Sequence, residues 1–158
     1  MSGPRMVSEV AVVLAIARSY TWVREHGANA GEAVEHFLGQ VGLKRGQPWC
    51  AAFFSTVGQD AMGVDWRLPM VGGCASLGEA ADRKGILKAG PAAGAGFLLY
   101  YPSLKRFAHV GFCVREVAPG RWATIEGNTG KQGEREGYGF FEKERGFGPN
   151  DRFIHWWL

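Results

Sequence analysis

The sequence predicts an α+β fold in which N-terminal helices pack on an antiparallel β-sheet of about five strands. Up to about residue 88, apolar residues recur at the three- and four-residue spacing of amphipathic helices. After Gly96, short runs of β-branched and aromatic residues alternate with turn formers, as expected for antiparallel strands. With 158 residues, 46% of them hydrophobic, the chain can build a substantial core, and we expect a single domain over residues 1–158.

Four helices are expected in the first half of the chain. Apolar residues that share one helical face predict a first helix over residues 8–25 and a second over residues 32–40. A third helix is predicted to begin at Cys50 and to stop at Gly63. Ser76, three residues before a glutamate, forms a capping box that predicts the start of a fourth, short helix.

The second half contains five runs with the composition of β-strands. Pro119-Gly120, between two of these runs, is a two-residue turn signal that predicts a hairpin. The predicted strands cover residues 97–101, 109–117, 121–126, 138–142 and 152–157.

Charge and cysteine content exclude several classes of function. A net charge of +3, without runs of Lys or Arg, is too weak to indicate nucleic-acid binding, although it is compatible with an anionic polymer. No run approaches the roughly 20 apolar residues that a membrane span requires. Cys74 and Cys113 lack metal-type spacing with histidine, and three cysteines do not suggest a disulfide framework. We therefore expect no metal and no cofactor.

The N-terminal segment has some features of a secretory signal, because Arg5 precedes an apolar run that ends at Ala17. Glu9 interrupts that run, and an amphipathic first helix is the preferred interpretation. We then expect the protein to be made in a cytoplasm, so that action on an extracellular target would require export by other means.

Cys50 has the position of an activated nucleophile. A cysteine on the first turn of a helix faces open backbone N–H groups and the positive end of the helix dipole, which favour the thiolate. The same N–H groups can hold an oxyanion. The alternative is that Cys50 is a small buried residue on the same face as Phe53 and Phe54, and spacing alone does not separate the two.

His109 is the candidate general base. It begins a predicted strand on which His109, Gly111 and Cys113 share one face. Glycine at position 111 is expected to leave space for a substrate beside the imidazole. A structural role for a lone histidine on a strand is the alternative.

The next strand offers two partners for this imidazole. If the turn pairs Ala118 with Arg121, Cys113 lies opposite Glu126 and Asn128 becomes the diagonal neighbour of His109. Glu126 is then too distant without a bulge or a longer loop. Either side chain could accept a hydrogen bond from the imidazole, the third role in a catalytic triad. The alternative for residues 126–130 is an ordinary loop rich in turn formers.

Three segments resemble one enzyme family. The run Gly-Gln-Pro-Trp-Cys-Ala-Ala-Phe at residues 46–53, His-Val-Gly at residues 109–111 and Ile-Glu-Gly-Asn at residues 125–128 are similar to cysteine, histidine-dependent amidohydrolase/peptidase (CHAP) domains, relatives of NlpC-type peptidases. Residues 27–34 also resemble the segment before the cysteine in small bacterial and phage versions. The resemblance covers residues 10–128.

The resemblance implies a papain-like α+β fold and hydrolysis of an amide bond in the peptide part of bacterial peptidoglycan through a thioester acyl-enzyme. It assigns the nucleophile to Cys50, the base and acid to His109, and the supporting roles to Glu126 and Asn128, with Glu126 ranked first. Related domains commonly have an acid before the first strand, and residues 91–96 have none. Trp49 is expected either to line the substrate cleft or to pack at the helix start.

Two other functions remain open at this point. One is a thiol acyltransferase or deamidase that acts on a non-wall substrate, because such enzymes share the acyl-enzyme scaffold. The other is a catalytically decayed binding module. As a wall hydrolase, the chain would be a phage endolysin, a secreted antibacterial effector with a delivery machine and an immunity protein, or an excised catalytic domain. We expect a monomer.

Overall fold

The computed structural model describes residues 4–27, 29–129 and 139–158. It has the predicted α+β class, with helices in the first half that pack on an antiparallel sheet formed by the second half. The α-helices are α1 (Pro4–Arg18), α2 (Glu32–Gln40), α3 (Cys50–Met62) and α4 (Cys74–Arg83), and a 3₁₀ turn at Gly63–Asp65 follows α3.

The described residues form a six-stranded sheet in the spatial order β1-β6-β2-β3-β4-β5, and each neighbouring pair of strands is antiparallel. The short edge strand β1 was not predicted. Tyr138, the predicted start of the fourth strand, lies outside the described residues. The strands are β1 (Leu87–Lys88), β2 (Gly96–Tyr101), β3 (Arg106–Ala118), β4 (Arg121–Thr129), β5 (Gly139–Gly146) and β6 (Arg152–Ile154).

The bounds of the first and fourth helices differ from the prediction, and the first helix begins at Pro4 instead of residue 8. The first helix ends at Arg18, because the hydroxyls of Ser19 and Thr21 donate to backbone carbonyls in the last turn and compete with further helix. The fourth helix begins at Cys74, and its N-cap is Gly73, which makes no side-chain cap. The prediction that Ser76 caps this helix was therefore wrong.

The hairpin between β3 and β4 begins as predicted, because Pro119-Gly120 is the turn and Ala118 pairs with Arg121. Two β-bulges follow, and the pairing skips Val114 and Val117 on β3. Each bulge adds one residue to β3 without a matching residue on β4. The register beyond the bulges is therefore shifted by two residues.

This shift changes which side chains face each other. Cys113 pairs with Thr124, and the prediction that it lies opposite Glu126 was wrong. Continued along β3, the bulged register places Glu126 diagonally across from His109, the position that an unbulged hairpin assigns to Asn128. A glutamate reaches across such a diagonal, so the bulges bring the acid within range of the imidazole.

The two faces of the sheet have different roles. One face packs on the helices, where the rings of Phe54 on α3 and Phe112 on β3 stack at 4.6 Å. The opposite face has a smaller cluster that includes Phe97, Cys113 and Phe153. The main core therefore fixes α3 against β3, and with it the start of α3. None of the described helices is both long enough and apolar enough to cross a membrane.

Candidate active site

Cys50 is the first residue of α3, as predicted, and only 4% of it is exposed. The N-cap residue Trp49 makes no side-chain cap, and Phe53 is the residue whose N–H bonds to the Trp49 carbonyl. The first N–H groups of a helix have no partner within the helix. These donors and the positive end of the helix dipole lie at the start of the helix that carries the thiol, and they favour its anionic form.

His109 and Glu126 form a buried hydrogen bond beside this thiol. His109 Nε2 lies 2.8 Å from Glu126 Oε1, and the two residues are 3% and 0% exposed. The Nδ1 atom of His109 is buried and has no hydrogen-bond partner among the described residues. With Nε2–H donated to the carboxylate, Nδ1 is the nitrogen left to accept a proton from Cys50.

Glu126 is held by two further residues. Arg145 on β5 donates through Nε to Oε2 at 2.8 Å and through Nη2 to Oε1 at 2.7 Å. Thr124 Oγ1 donates to Oε2 at 2.6 Å. Paired and charge-assisted bonds of this kind fix both the position and the ionisation of a carboxylate. The carboxylate that orients His109 is thus itself oriented from the next strand.

The charges of the three central groups support one another. The pKa of Cys50 lies well below the usual value of a thiol, first because of a hydrogen bond with Cys74 and then, against the effect of burial, because of His109. Burial favours neutral His109, but its interactions with Cys50 and Glu126 outweigh this and raise its pKa to about 9. Burial opposes ionisation of Glu126, but His109 and Arg145 hold its pKa below the usual range. A thiolate, an imidazolium and a carboxylate are therefore the favoured forms near neutral pH.

A narrow cleft of about 170 Å³ reaches the sulfur of the candidate nucleophile. Its walls come from the loops before α3 and α4 and from the start of β3. Besides Cys50 and Cys74, the lining includes Gln47, Pro48, Gly72, Gly73, Arg106 and Ala108. A larger cavity of about 910 Å³ at Tyr20, Trp22 and His36 is lined by none of the predicted catalytic residues.

Asn128 is buried close to the end of β4 but does not replace Glu126 as the observed partner of His109. Its backbone has a φ of 53°, a left-handed conformation that asparagine tolerates better than most residues. Its Oδ1 atom is buried without a hydrogen-bond partner among the described residues. The structure therefore pairs Glu126 with His109 and gives Asn128 an adjacent, buried position.

The structure decides between the two alternatives for Trp49 and contradicts the expectation for Gly111. Trp49 is completely buried, stacks on Phe37 at 5.7 Å and donates its indole N–H to Glu25, so it packs at the helix start instead of lining the cleft. A Cβ at Gly111 would lie 2.6 Å from the ring of Phe97. The space beside Gly111 is thus filled by protein, and the prediction that it receives substrate was wrong.

Sequence reasoning missed Arg145 and Cys74. The predicted strand ended at Glu142, whereas β5 continues to Gly146 and carries Arg145 on the same face as Glu126. The available signal is the run Glu142-Lys143-Glu144-Arg145, in which acidic and basic residues alternate. The strand continues through this run and ends four residues after Glu142. The sequence around Cys74 lacks metal-type spacing and gives no sign that its sulfur lies 3.6 Å from that of Cys50.

The arrangement can perform nucleophilic catalysis on a carbonyl carbon. It supplies a thiolate, a base with a raised pKa, an anchor for that base, and backbone donors at the start of α3. Within the part of the chain that the structure describes, no three His, Cys, Asp or Glu side chains lie close enough together to hold a metal ion.

Comparison with known proteins gives a fold-level likeness. No family model and no curated protein matches the chain. A similar fold occurs in a solved structure described as "The crystal structure of Ly7917", with a TM-score of 0.51 and 16% sequence identity. The match covers 92% of this chain and 61% of that one, so the chain spans less than two thirds of its length. At this identity the likeness concerns the fold alone.

Proposed function

We propose that this chain is a cysteine hydrolase that cleaves an amide bond in the peptide part of bacterial peptidoglycan. The observation that carries the proposal is the buried hydrogen bond between His109 and Glu126, next to the Cys50 thiol at the start of α3. The resemblance of residues 46–53, 109–111 and 125–128 to CHAP domains supports a papain-like fold and supports peptidoglycan as the substrate. It also favours a protein that acts on the wall after export.

The acylation step follows from the charges of the site. The Cys50 thiolate attacks the amide carbonyl carbon, and the oxygen of the tetrahedral intermediate becomes negative. Backbone N–H groups at the start of α3 stabilise that oxygen. His109, protonated on both nitrogens, gives its Nδ1 proton to the leaving amine as the C–N bond breaks. A thioester on Cys50 and a free amine result.

Deacylation reverses the proton transfer. Neutral His109 takes a proton from a water molecule through Nδ1, and the water oxygen attacks the thioester carbonyl. The C–S bond breaks, the product leaves as a carboxylic acid, and Cys50 returns to the thiolate. Glu126 keeps Nε2–H donated throughout, so the ring presents the same nitrogen in both steps.

Arg106 supports an acidic substrate. It lines the Cys50 cleft, and its Nη1 donates a 3.3 Å bond to the neighbouring Phe107 carbonyl. Among the described residues that line this cleft there is no Asp or Glu. A guanidinium in such a position is suited to a substrate carboxylate. Peptides of the wall carry such groups, which agrees with the proposed substrate class.

Isolated peptidoglycan tests the function directly. Walls incubated with the wild-type protein should release soluble fragments, and mass spectrometry should find a new free amine and a new carboxylic acid at one peptide or amide bond. Protein alkylated with iodoacetamide beforehand serves as the control and should release nothing.

The chemical nature of the products separates the competing functions. Transfer of the acyl group to an added amine, in preference to water, would identify a transferase. Walls that remain intact while Cys50 still forms an acyl-enzyme with a small activated ester would overturn the wall substrate but keep the thiol chemistry. Equal release by native and alkylated protein would contradict the whole proposal.

A further inference from the structure

Two cysteine sulfurs meet in the cleft of the candidate active site. Cys50 Sγ and Cys74 Sγ are 3.6 Å apart, and both residues line the cleft. Cys50 is the first residue of α3, and Cys74 is the first residue of α4. The positive ends of two helix dipoles therefore converge on the same pair of sulfurs and favour negative charge there.

The two sulfurs are close enough to form a disulfide after a small movement. A disulfide has an S–S length of about 2.05 Å, so the sulfurs need to approach by roughly 1.5 Å. Rotation of the two side chains about their Cα–Cβ bonds provides movement of this size. Gly73, which directly precedes Cys74, adds backbone freedom on the α4 side.

We propose that Cys50 and Cys74 are a reversible modification site. A peroxide oxidises the two thiols to an intramolecular disulfide, which inactivates the nucleophile until a dithiol reduces the disulfide. In the reduced protein Cys74 is the hydrogen-bond partner of the Cys50 sulfur. In the oxidised protein the same neighbour becomes its covalent partner. The closeness of the second sulfur thus gives Cys50 a route away from irreversible oxidation.

The oxidation proceeds in two balanced steps. The Cys50 thiolate attacks one peroxide oxygen, the O–O bond breaks, and the other oxygen leaves as hydroxide, which takes a proton to become water. Cys50 is now a sulfenic acid. Cys74 sulfur attacks the Cys50 sulfur, the S–O bond breaks, and the departing hydroxide takes the Cys74 proton as a second water. Two thiols are oxidised and one peroxide is reduced.

Cys113 provides an internal control. It is completely buried and lies in the cluster on the opposite face of the sheet, with Phe97 and Phe153. Desolvation by burial is the main cause that raises the pKa of Cys113, and the negative charge of Glu126 raises it further. A buried neutral thiol reacts slowly with peroxide. Oxidation of the folded protein should therefore leave Cys113 reduced.

Peptide mapping can read each cysteine separately. Trypsin cleavage separates the three cysteines into different peptides. Cys50 is in the peptide of residues 46–67, Cys74 in that of residues 68–83 and Cys113 in that of residues 107–115. Reduced, folded protein is treated with hydrogen peroxide, denatured in iodoacetamide and digested. We expect a linked peptide that joins residues 46–67 to 68–83, a fall in alkylated thiols from three to one, and full reversal by dithiothreitol.

Two variants make the outcome decisive. Cys113→Ala should form the same linked peptide, whereas Cys74→Ala should form none and should accumulate oxygen on Cys50. Wild-type protein in which Cys50 gains oxygen while Cys74 remains fully alkylated would overturn the proposal. A linkage that includes Cys113 would also overturn it.

The loss of catalysis on oxidation rests on the proposed function, but the disulfide itself does not. The mapping experiment needs no wall substrate, so the two proposals fail separately. Intact walls together with a linked peptide would overturn only the substrate. Wall cleavage that survives quantitative Cys50–Cys74 linkage would show that the disulfide does not block the nucleophile, and would overturn the switch.

Discussion

Replacement of Cys50 with alanine should abolish amide hydrolysis while the protein stays folded. The thiol is the atom that forms the acyl-enzyme, so its removal should lower the rate of wall-fragment release on the order of 10⁴-fold or more. The side chain is small, and its loss leaves the packing of α3 on β3 through Phe54 and Phe112 in place. Release of soluble peptide from isolated walls measures the effect.

Two matched variants identify the cause of the loss. Cys50→Ser keeps the size of the side chain but cannot form a thiolate, and it should be as inactive as Cys50→Ala. Cys113→Ala removes an equally buried cysteine that is not among the described residues lining the cleft, and its rate should stay near wild type. Activity in folded Cys50→Ala at the wild-type rate would eliminate Cys50 as the nucleophile.

Replacement of Glu126 with alanine should damage both stability and catalysis. It leaves Arg145 without its carboxylate partner, and breaking such a buried ion pair costs about 3 to 5 kcal/mol of unfolding free energy. Because the Arg145 side chain is 20% exposed, we expect the lower end of that range. The unanchored imidazole of His109 should reduce the hydrolysis rate roughly 10²- to 10⁴-fold. Urea unfolding and wall-release rates measure the two effects.

A double variant separates stability from catalysis. Glu126→Ala combined with Arg145→Met removes the unpaired cation and should recover part of the lost unfolding free energy. It should recover none of the activity, since His109 still lacks its acceptor. Recovery of both would show that Glu126 acts only by supporting the fold. A single Glu126→Ala protein with unchanged rate would remove it from the site.

The sequence was most informative where one element determines the chemistry. Helical spacing after Cys50 was sufficient to place it at the start of α3, because the Phe53 and Phe54 face fixes the helix phase. The same phase placed Trp49 next to the thiol, but whether its ring points into the cleft or the core depends on Phe37 and Glu25. Those partners come from other elements, and local spacing contains no information about them.

The partner of His109 was harder to predict, because it depends on the register between two strands. The predicted turn at Pro119-Gly120 is confirmed, yet two bulges in β3 move Glu126 to the diagonal position. Val114 and Val117 have ordinary strand composition, so nothing in the sequence marks them as bulged. A register error of two residues keeps each side chain on its face of the sheet, so the predicted residues share a face although their predicted pairing differs from the observed one.

Arg145 and Cys74 depend on contacts between segments that are distant in sequence. Arg145 reaches Glu126 only because β5 pairs with β4, and Cys74 reaches Cys50 only because α4 begins beside α3. Each residue looks ordinary in its own segment, as an arginine in a charged strand and as a cysteine after two glycines. Their roles become visible only when the elements are assembled.

The central claim is that Cys50 is a thiolate paired with His109, and its alkylation rate as a function of pH tests this most directly. An ordinary thiol titrates near pH 8.5. In the folded protein the pKa of Cys50 is lowered and that of His109 is raised to about 9, so the pair persists from below the ordinary thiol range up to about 9. The contribution of protonated His109 to stability is likewise present below its ordinary pKa and is lost as the pH rises through about 9.

We expect iodoacetamide to modify Cys50, read in residues 46–67, at a rate that reaches its plateau well below pH 8.5. In His109→Ala the same rate should follow a titration moved upward toward the ordinary thiol range, while Cys113 in the folded protein stays slow in both. An ordinary titration of Cys50 near pH 8.5 in wild type, unchanged by His109→Ala, would contradict the thiolate–imidazolium pair.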